Sequence, residues 1–253
     1  MSKMQNPFIW HDLMTSDVEA AKAFYADVVG WTFSAQMPDY IVTEAGGKGM
    51  GGIMPKPEHL KAVPPFWSGY IHVADVDAAV AKIKSLGGKI HREPWDVPDV
   101  ARMAVAADPT GAMFNIMTPI PRAAGSAMPP STALGAVGWN EAHLGDLDKG
   151  WDFYSQMFGW TKGQVMPMGA MGDYMLFQIE GKDVGGMMKR QHPLPAPMWL
   201  YYFNVDGIDA AASRITKAGG KIAMGPHQVP GGQWIVSAFD PQGGSFQLLS
   251  ATK

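Results

Sequence analysis

Two pairs of side chains in this sequence have the types and the spacing needed for proton transfer. Glu141 and His143 are separated by one residue in a segment typical of a β-strand. Alternate residues of a strand point to the same face, so this carboxylate and imidazole could act as base and acid, or as the nucleus of a displaced metal site. Asp12 and His72 offer a second carboxylate–imidazole combination. The alternative for Glu141 and His143 is that they are inert, hydrogen-bonded groups at the rim of a cavity. The alternative for His72 is that it is a hydrogen-bonded residue of the core.

The composition narrows the classes of protein to which these residues could belong. The chain has 253 residues, of which 47% are hydrophobic and 17% charged, and its formal net charge is -3. A weakly acidic chain gives no electrostatic reason to expect nucleic acid as a partner. No apolar run approaches the roughly 20 residues of a membrane span, and the first residues lack the apolar core of a signal peptide. We therefore expect a cytoplasmic protein without a membrane or nucleic-acid partner.

The sequence contains no cysteine, and this excludes disulfides, cysteine-bound zinc and thiol catalysis. Methionine is abundant instead, with 19 residues. Thioether side chains adapt to irregular shapes and contact aromatic rings well. The methionines therefore indicate either ordinary core filling or a pliable apolar pocket.

An internal duplication organises the chain. The motif FYADVVGWT at 24–32 reappears as FYSQMFGWT at 153–161, GGKI at 87–90 reappears at 219–222, and DPTG at 108–111 reappears as DPQG at 240–243. Landmarks that recur in the same order indicate a tandem repeat of a unit of about 120 residues. We expect a first domain at 1–121, a linker at 122–132 and a second domain at 133–253.

Each half is predicted to be a β-α-β-rich module written twice. In the first half, strands are predicted at 8–14, 31–33, 40–43, 51–54, 67–73, 103–107 and 112–118, and helices at 16–30 and 75–86. Ser16 and Glu19 have the spacing of a capping box, and Gly30 is placed to end the first helix. The glycine-rich segment 46–52 precedes a strand and lacks the phosphate-loop pattern, so we expect a hairpin turn there.

The order of landmarks resembles the vicinal oxygen chelate superfamily, which includes glyoxalase I, bleomycin-resistance proteins and extradiol dioxygenases. The residues that carry the resemblance in the first half are Asp17, Phe24-Tyr25, Gly30-Trp31, Asp75-Val76-Asp77, Gly87-Gly88 and Asp108-Pro109-x-Gly111, and the second half repeats most of them. The resemblance implies an α+β fold of four βαβββ-type modules that form two glyoxalase-like domains with concave mixed sheets.

The resemblance also implies a divalent metal held by His and Glu side chains from three strands of a repeat. Alignment on the motifs puts these positions at Trp10, Ser68 and Asn115 in the first half and at Trp139, Leu200 and Gln247 in the second. None of the six is His, Glu or Asp, and indole or leucine side chains cannot bind such an ion. We therefore expect no metal cofactor. A one-residue bulge would reverse the faces of a strand and bring His11 or Asn140 inward. If the strand register is wrong, a divalent metal is expected, with His11, His72, Glu141 and His143 as the candidate ligands.

Residues that share the face of the two tryptophans form the predicted site. The candidate catalytic residues are Glu141, His143 and Tyr202. The candidate ligand-binding residues are Trp10, Asp12, Tyr70, His72, Asn115, Trp139, Asn204 and Gln247. His11, on the opposite face, and His192, in a loop, are expected to be solvated.

Two functions remain open from the sequence. One is binding of a small, largely apolar or aromatic molecule in a metal-free cavity, as in bleomycin-resistance-like proteins. The other is a lyase or isomerase of glyoxalase type, in which Glu141 abstracts a proton next to a carbonyl with help from His143 or Tyr202. Extradiol dioxygenase chemistry would need two His and one carboxylate around iron, a set that the sequence does not assemble. A monomer or a homodimer is expected, and the modules could pair within a half or across halves.

Overall fold

The computed structural model describes residues 6–120, 129–191 and 194–253, apart from the side chain of Gln36. Most of the predicted linker and also His192 therefore lie outside the described residues. No helix within the described ranges is long and apolar enough to cross a membrane. The division into domains at 1–121 and 133–253 stays a prediction.

Four βαβββ modules follow one another along the described chain, and this confirms the predicted α+β fold class. The first module is β1 Phe8–Thr15, α1 Val18–Val29, β2 Thr32–Met37, β3 Tyr40–Ala45 and β4 Lys48–Pro55. The second is β5 Phe66–His72, α2 Val76–Ser85, β6 Lys89–Val97, β7 Ala101–Ala107 and β8 Met113–Pro119. The third is β9 Val137–Leu144, α3 Leu147–Phe158, β10 Thr161–Pro167, β11 Asp173–Ile179 and β12 Lys182–Lys189. The fourth is β13 Met198–Asn204, α4 Ile208–Lys217, β14 Lys221–Gln228, β15 Trp234–Phe239 and β16 Ser245–Ser250.

The strands form two eight-stranded mixed sheets, one from each sequence repeat. The first has the order β2-β3-β4-β1-β5-β8-β7-β6, and the second repeats it as β10-β11-β12-β9-β13-β16-β15-β14. The pairs β1–β4 and β9–β12 are parallel, whereas the hairpin neighbours are antiparallel. The first strand of a module therefore lies beside its last strand. The helix connects the first strand to the second.

The compact units of the chain draw on both repeats. One unit contains the second and third modules, within residues 6–10, 68–120 and 140–200. The other contains most of the first and fourth modules, within residues 11–67, 129–139 and 201–253. Sequence reasoning left open whether modules pair within or across halves. Strand pairing joins modules of one repeat into a sheet, whereas each compact unit joins modules from different repeats.

Aromatic side chains fill the core of each unit in the same way. In one unit, Trp199 Nε1 donates to the Tyr154 hydroxyl at 2.8 Å, and the Tyr154 and Trp160 rings stack with centroids 5.4 Å apart. In the other unit, Trp67 Nε1 donates to the Tyr25 hydroxyl at 3.1 Å. Large aromatic groups with satisfied polar atoms provide most of the apolar burial of such cores.

The helix boundaries follow local motifs, with one correction. The side chain of Asp17 accepts a hydrogen bond from the Ala20 amide and so caps α1. The capping box predicted at Ser16 is therefore wrong by one residue, because the aspartate already satisfies the free amide of the first turn. Gly30 ends α1 in the left-handed conformation with φ +85, as its position predicted.

Strand β6 is missing from the sequence-based prediction. Its side chains are exposed or only half-buried, and it contains Pro94. It lies at the outer end of the first sheet, where a strand has one unpaired side. An edge strand without an alternating apolar pattern gives little sequence signal.

Candidate functional site

Glu141 and His143 lie on the face of β9 that points away from helix α3. Leu144 faces the helix, since a Cβ added to Gly150 of α3 would come within 2.5 Å of Leu144 Cδ1. Side chains alternate along a strand, so Glu141 and His143 share the opposite face. The pairing of β9 with β12 runs in register from Asn140 to Leu144. A bulge that would exchange the two faces is therefore not found in this segment.

The two side chains contact each other directly. His143 Nε2 lies 2.9 Å from Glu141 Oε1, and the His143 side chain is only 9% exposed. A carboxylate beside Nε2 favours the imidazole tautomer that carries its proton on that nitrogen. Glu141 thus orients His143, as a carboxylate does in catalytic carboxylate–imidazole pairs.

A tyrosine completes this group from another strand. The Tyr174 hydroxyl of β11 donates to Glu141 Oε2 at 2.8 Å. The strand order β10-β11-β12-β9 means that the tyrosine reaches across β12 to the carboxylate. Gly186 of β12 pairs with Glu141, and a Cβ there would come within 2.2 Å of the Tyr174 ring. The absence of a side chain at Gly186 is what lets the ring lie across the strand.

The first repeat contains the same arrangement without the histidine. The Tyr40 hydroxyl of β3 donates to Asp12 Oδ1 at 2.7 Å. A Cβ added to Gly52 of β4, the residue paired with Asp12, would come within 2.2 Å of the Tyr40 ring. Met14 stands where the second repeat has His143. We call each tyrosine–carboxylate pair across a glycine a clamp: Tyr40–Asp12 over Gly52, and Tyr174–Glu141 over Gly186.

Sequence analysis did not single out the tyrosines or the glycines of the clamps. The signal was present, since Asp39-Tyr40 and Gly51-Gly52 reappear as Asp173-Tyr174 and Gly185-Gly186 with one common offset. Tyr174, which donates to the Glu141 carboxylate, lies in the same compact unit as Glu141. Tyr202, the predicted assistant, is buried and belongs to the other unit.

A second group of predicted site residues lies on β1, β5 and β8. Asn115 Nδ2 donates to Ser68 Oγ at 2.6 Å, and Tyr70 pairs with Asn115 across the parallel strands. The half-buried indole of Trp10 packs against an apolar cluster that contains Tyr70 and Met117. Ile9, Val100 and Met103 are half-buried against the same cluster. Tyr70 links the two groups, since it belongs to the cluster on which the indole packs and it pairs with Asn115, whose amide donates to the Ser68 hydroxyl.

A sequence model of the Glyoxalase/Bleomycin resistance protein/Dioxygenase superfamily matches residues 8–116 and 141–248, and so covers most of both repeats. The chain belongs to this superfamily. The resemblance drawn from the repeated motifs is thereby confirmed.

Named relatives of this superfamily member match along nearly the whole chain. It is 32% identical over 246 residues to the "Putative glyoxylase CFP32" of Mycobacterium tuberculosis, covering 95% of this chain and 93% of that protein. It is 27% identical over 262 residues to the anthracycline biosynthesis protein DnrV of Streptomyces peucetius, covering 95% and 91%.

Solved structures of the superfamily share the fold. The Mn(II)-bound glyoxalase from Novosphingobium aromaticivorans has a TM-score of 0.67 at 16% identity, over 99% of this chain and 83% of that one. The 2,3-dioxygenase LapB from Pseudomonas sp. KL28 has a TM-score of 0.68 at 12% identity, over 99% and 94%. At these identities the likeness concerns the fold.

The metal that the superfamily resemblance implies does not fit the residues of either repeat. At the first set of positions, Asn115 donates its amide hydrogen to Ser68, and the indole of Trp10 has no lone pair that could coordinate a metal ion. At the second set, Gln247 Nε2 lies 3.3 Å from Ser245 Oγ, while Trp139 and Leu200 are half-buried. Among the described residues, no three His, Cys, Asp or Glu side chains are grouped to hold a metal ion.

Three other predicted site residues, Asn204, His72 and Asp12, have described hydrogen-bond partners. Asn204 donates its side-chain hydrogens to the carbonyl oxygens of Ser131 and Ala133, so it holds the segment before β9 against β13. His72 is half-buried at the end of β5, and its carbonyl oxygen accepts from the Asn6 amide group. Asp12 and His72 belong to different compact units. The partner found for Asp12 is Tyr40.

The prediction for His11 is wrong. This residue is only 2% exposed, and its ring packs edge-on against Tyr201 with centroids 4.7 Å apart. His11 alternates with Trp10 and Asp12 along β1, as predicted, but the face that it occupies is buried rather than exposed to solvent. The prediction failed because an opposite face was equated with an exposed one.

A further buried carboxylate, that of Asp240, accepts hydrogen bonds from the backbone of a turn. Asp240 Oδ1 accepts from the amides of Gln242 and Gly244, and Oδ2 accepts from the Tyr25 hydroxyl at 3.1 Å. Burial raises the pKa of Asp240 above its ordinary value, and burial together with this carboxylate raises the pKa of Tyr25 well above its own. These groups hold the hairpin of β15 and β16, so we assign them to the core.

Proposed function

We propose that this superfamily member binds a small, largely apolar organic molecule without a divalent metal at the implied metal position. The observation that carries the proposal is the set at that position in the first repeat. The Trp10 indole packs on the cluster that contains Tyr70, Tyr70 pairs with Asn115, and Asn115 donates to Ser68. An indole presents a flat apolar surface, while an amide and a hydroxyl can orient a ligand through a few hydrogen bonds.

The names of the relatives suggest which probe to use first. DnrV is named an anthracycline biosynthesis protein. An anthracycline is a flat polycyclic compound with polar groups at its edges, and this chemistry fits an indole next to an amide. Half-buried Met103 adds a side chain that can adjust to such a shape.

Calorimetric titration with an anthracycline, alongside other flat aromatic probes, tests this proposal. We expect saturable binding that Trp10→Ala weakens about tenfold or more, because the flat contact is lost. Trp234→Ala is the matched control, since this half-buried indole contacts Lys253 instead. Equal binding by native protein and Trp10→Ala, or no binding to any probe, would contradict the proposal.

The contact between Glu141 and His143 favours a second function, that of a lyase or isomerase of glyoxalase type. We propose that Glu141 takes a proton from a carbon next to a substrate carbonyl, while His143 hydrogen-bonds the carboxylate. The electron pair of the broken C–H bond moves onto the carbonyl oxygen as an enolate, and the protonated Glu141 returns the proton to the neighbouring carbon to complete the isomerisation. A carboxylate has about four lone-pair sites, so it can accept a substrate proton while two neighbours donate to it. The name glyoxylase of the Mycobacterium tuberculosis relative agrees with this chemistry.

Proton exchange tests this second function. The hemithioacetal of methylglyoxal and a thiol is incubated in D2O, and turnover and loss of its carbon-bound hydrogen are followed by NMR. Glu141→Gln should reduce the rate by about 10²-fold or more and leave the urea midpoint near the native value. Glu58→Gln is the control, since it makes the same change at an exposed residue. Full turnover by Glu141→Gln would rule this function out.

A further inference from the structure

We propose that Tyr174 is a positioning residue for the acid–base pair, acting through Glu141 on His143, and that Gly186 makes this possible. The inference rests on the second proposed function for its catalytic meaning. The three side chains form one continuous hydrogen-bonded series. Tyr174 donates to Oε2 of Glu141 at 2.8 Å, and His143 Nε2 lies at Oε1 at 2.9 Å.

The two bonds use different oxygens of the same carboxylate, and this is what makes the tyrosine effective. A carboxylate held at one oxygen can still rotate about its last bond. A carboxylate held at both oxygens is fixed in plane and direction, so its contact with the imidazole is fixed as well. Both of these hydrogen bonds end on Glu141, so the series leads from Tyr174 to the imidazole through the carboxylate.

The surroundings restrict motion of the group further. The side chains of His143 and Glu141 are only 9% and 12% exposed, so little water competes for their hydrogen bonds. His143 pairs with Met188 on the neighbouring strand, and Met188 is buried. A phenol that left its carboxylate would have few solvent molecules to replace it within this group.

The two repeats show that a clamp forms with or without a histidine two residues along the strand. The Tyr40–Asp12 clamp keeps the tyrosine, the carboxylate and the glycine, but Met14 replaces the histidine. The clamp therefore forms whether or not an imidazole is present, and its direct target is the carboxylate. The first repeat supplies an internal control in which the same change removes a clamp that holds no histidine.

Histidine-selective ¹⁵N labelling gives a direct measurement on the full chain. Long-range ¹H–¹⁵N spectra report which ring nitrogen carries the proton and how fast it exchanges with water, and His143→Gln identifies the signals of His143. In the native protein we expect a protonated Nε2 in slow exchange. Tyr174→Phe should speed that exchange about tenfold or more, because one of the two donors that fix Glu141 is lost.

Tyr40→Phe is the matched variant and should leave the His143 signals unchanged. A general loss of stability would alter both variants alike, so the urea midpoint of each is measured in parallel. Gly186→Ala provides a second route, since it displaces the Tyr174 ring without removing its hydroxyl, and it should reproduce the effect of Tyr174→Phe.

An unchanged Nε2 proton in Tyr174→Phe would overturn the inference. An equal effect of Tyr40→Phe would also overturn it, because the change would then reflect stability alone. The NMR result on His143 does not depend on whether the protein turns over a substrate. If Glu141→Gln keeps full activity, the catalytic proposal fails while the NMR measurement still decides whether Tyr174 positions the pair. If the catalytic proposal holds, Tyr174→Phe should lower kcat more than it raises KM.

Discussion

The hydroxyl of Tyr174 reaches Glu141 across an intervening strand, with a donor–acceptor distance of 2.8 Å. The ring crosses β12 above Gly186, where a Cβ would collide with it. The first repeat keeps the same relationship between Tyr40 and Asp12. A contact that spans three strands and recurs in both repeats depends on the sheet order rather than on neighbouring residues in the sequence.

Alanine at Gly186 should destabilise the protein by about 1–3 kcal/mol, the usual cost of forcing extra volume into a packed site. A Cβ there would lie 2.2 Å from Cζ of Tyr174 and 2.3 Å from its hydroxyl oxygen. Urea unfolding of Gly186→Ala measures the cost. The double variant Gly186→Ala with Tyr174→Ala should recover part of the lost stability. If the double variant is no more stable than Gly186→Ala, the ring is not what the added methyl group meets.

Purified protein should contain no stoichiometric divalent metal, and a chelator should leave its melting temperature unchanged. Asn115 and Ser68 hydrogen-bond each other at the implied metal position, and Trp10 supplies no ligand atom. Elemental analysis and paired melting curves check this. Stoichiometric Zn, Ni, Mn or Fe together with a lower melting temperature in chelator would show that the ligands lie elsewhere.

Asp240→Asn should change how stability varies with pH. Burial raises the pKa of Asp240 in the folded chain, so the folded state binds its proton more tightly than the unfolded state does. The stabilisation that Asp240 contributes is fully present below its pKa in the unfolded chain. It is lost as pH rises through its pKa in the folded chain. An asparagine cannot titrate, so the variant should gain stability relative to native protein as pH rises from about 4, the ordinary carboxyl value, through the raised pKa of Asp240.

Urea midpoints of both proteins across that range measure this difference. Asp77→Asn provides a comparison in which the stability difference from native protein should change with pH in the opposite direction. Hydrogen bonding to Arg102 lowers the pKa of this exposed carboxyl. A stability difference between native protein and Asp240→Asn that stays constant with pH would contradict the assignment.

Removal of the Arg214 side chain should weaken the end of helix α1. Its guanidinium donates to the Val28 carbonyl from Nε and Nη2 at 3.2 and 3.1 Å, and Nη2 also lies 3.0 Å from Asp206. Cations near a helix C-terminus stabilise it, and a fork of donors can satisfy a terminal carbonyl. Arg214→Ala should cost about 1 kcal/mol in urea unfolding.

The same variant has a second readout. Hydrogen bonding to Arg214 lowers the pKa of Asp206, so this pKa should rise toward its ordinary value in Arg214→Ala, as measured by NMR titration. Lysine at this position should restore less stability than arginine, because an ammonium cannot present the same fork. Full restoration by lysine would mean that charge alone stabilises the helix end.

Much of the fold could be predicted because its signals are local. Asp108 accepts from the amides of Thr110 and Ala112, and the four-residue motif around it predicts this turn wherever it occurs. Gly30 ends its helix for an equally local reason. Strand β6 escaped prediction because its place at a sheet edge removes the alternating pattern.

The candidate site likewise combines contacts within one strand, which the sequence predicts, with contacts between distant segments, which it does not. Glu141 and His143 lie two residues apart on one strand, so the period of two already predicts their contact. Tyr174 is distant in sequence and becomes their neighbour only through the strand order β11-β12-β9. His11 shows the converse, since alternation predicted its face correctly but could not tell that this face is buried.

By itself, the sequence determined the duplication, the superfamily, the four modules and the identities at the implied metal positions. These follow from motifs and from periodicities that act within a few residues. Only the tertiary structure decided that compact units join modules from different repeats and that a tyrosine crosses a glycine to hold each carboxylate. Such contacts depend on which strands pair and which faces pack, and both are set by interactions between segments far apart in the chain.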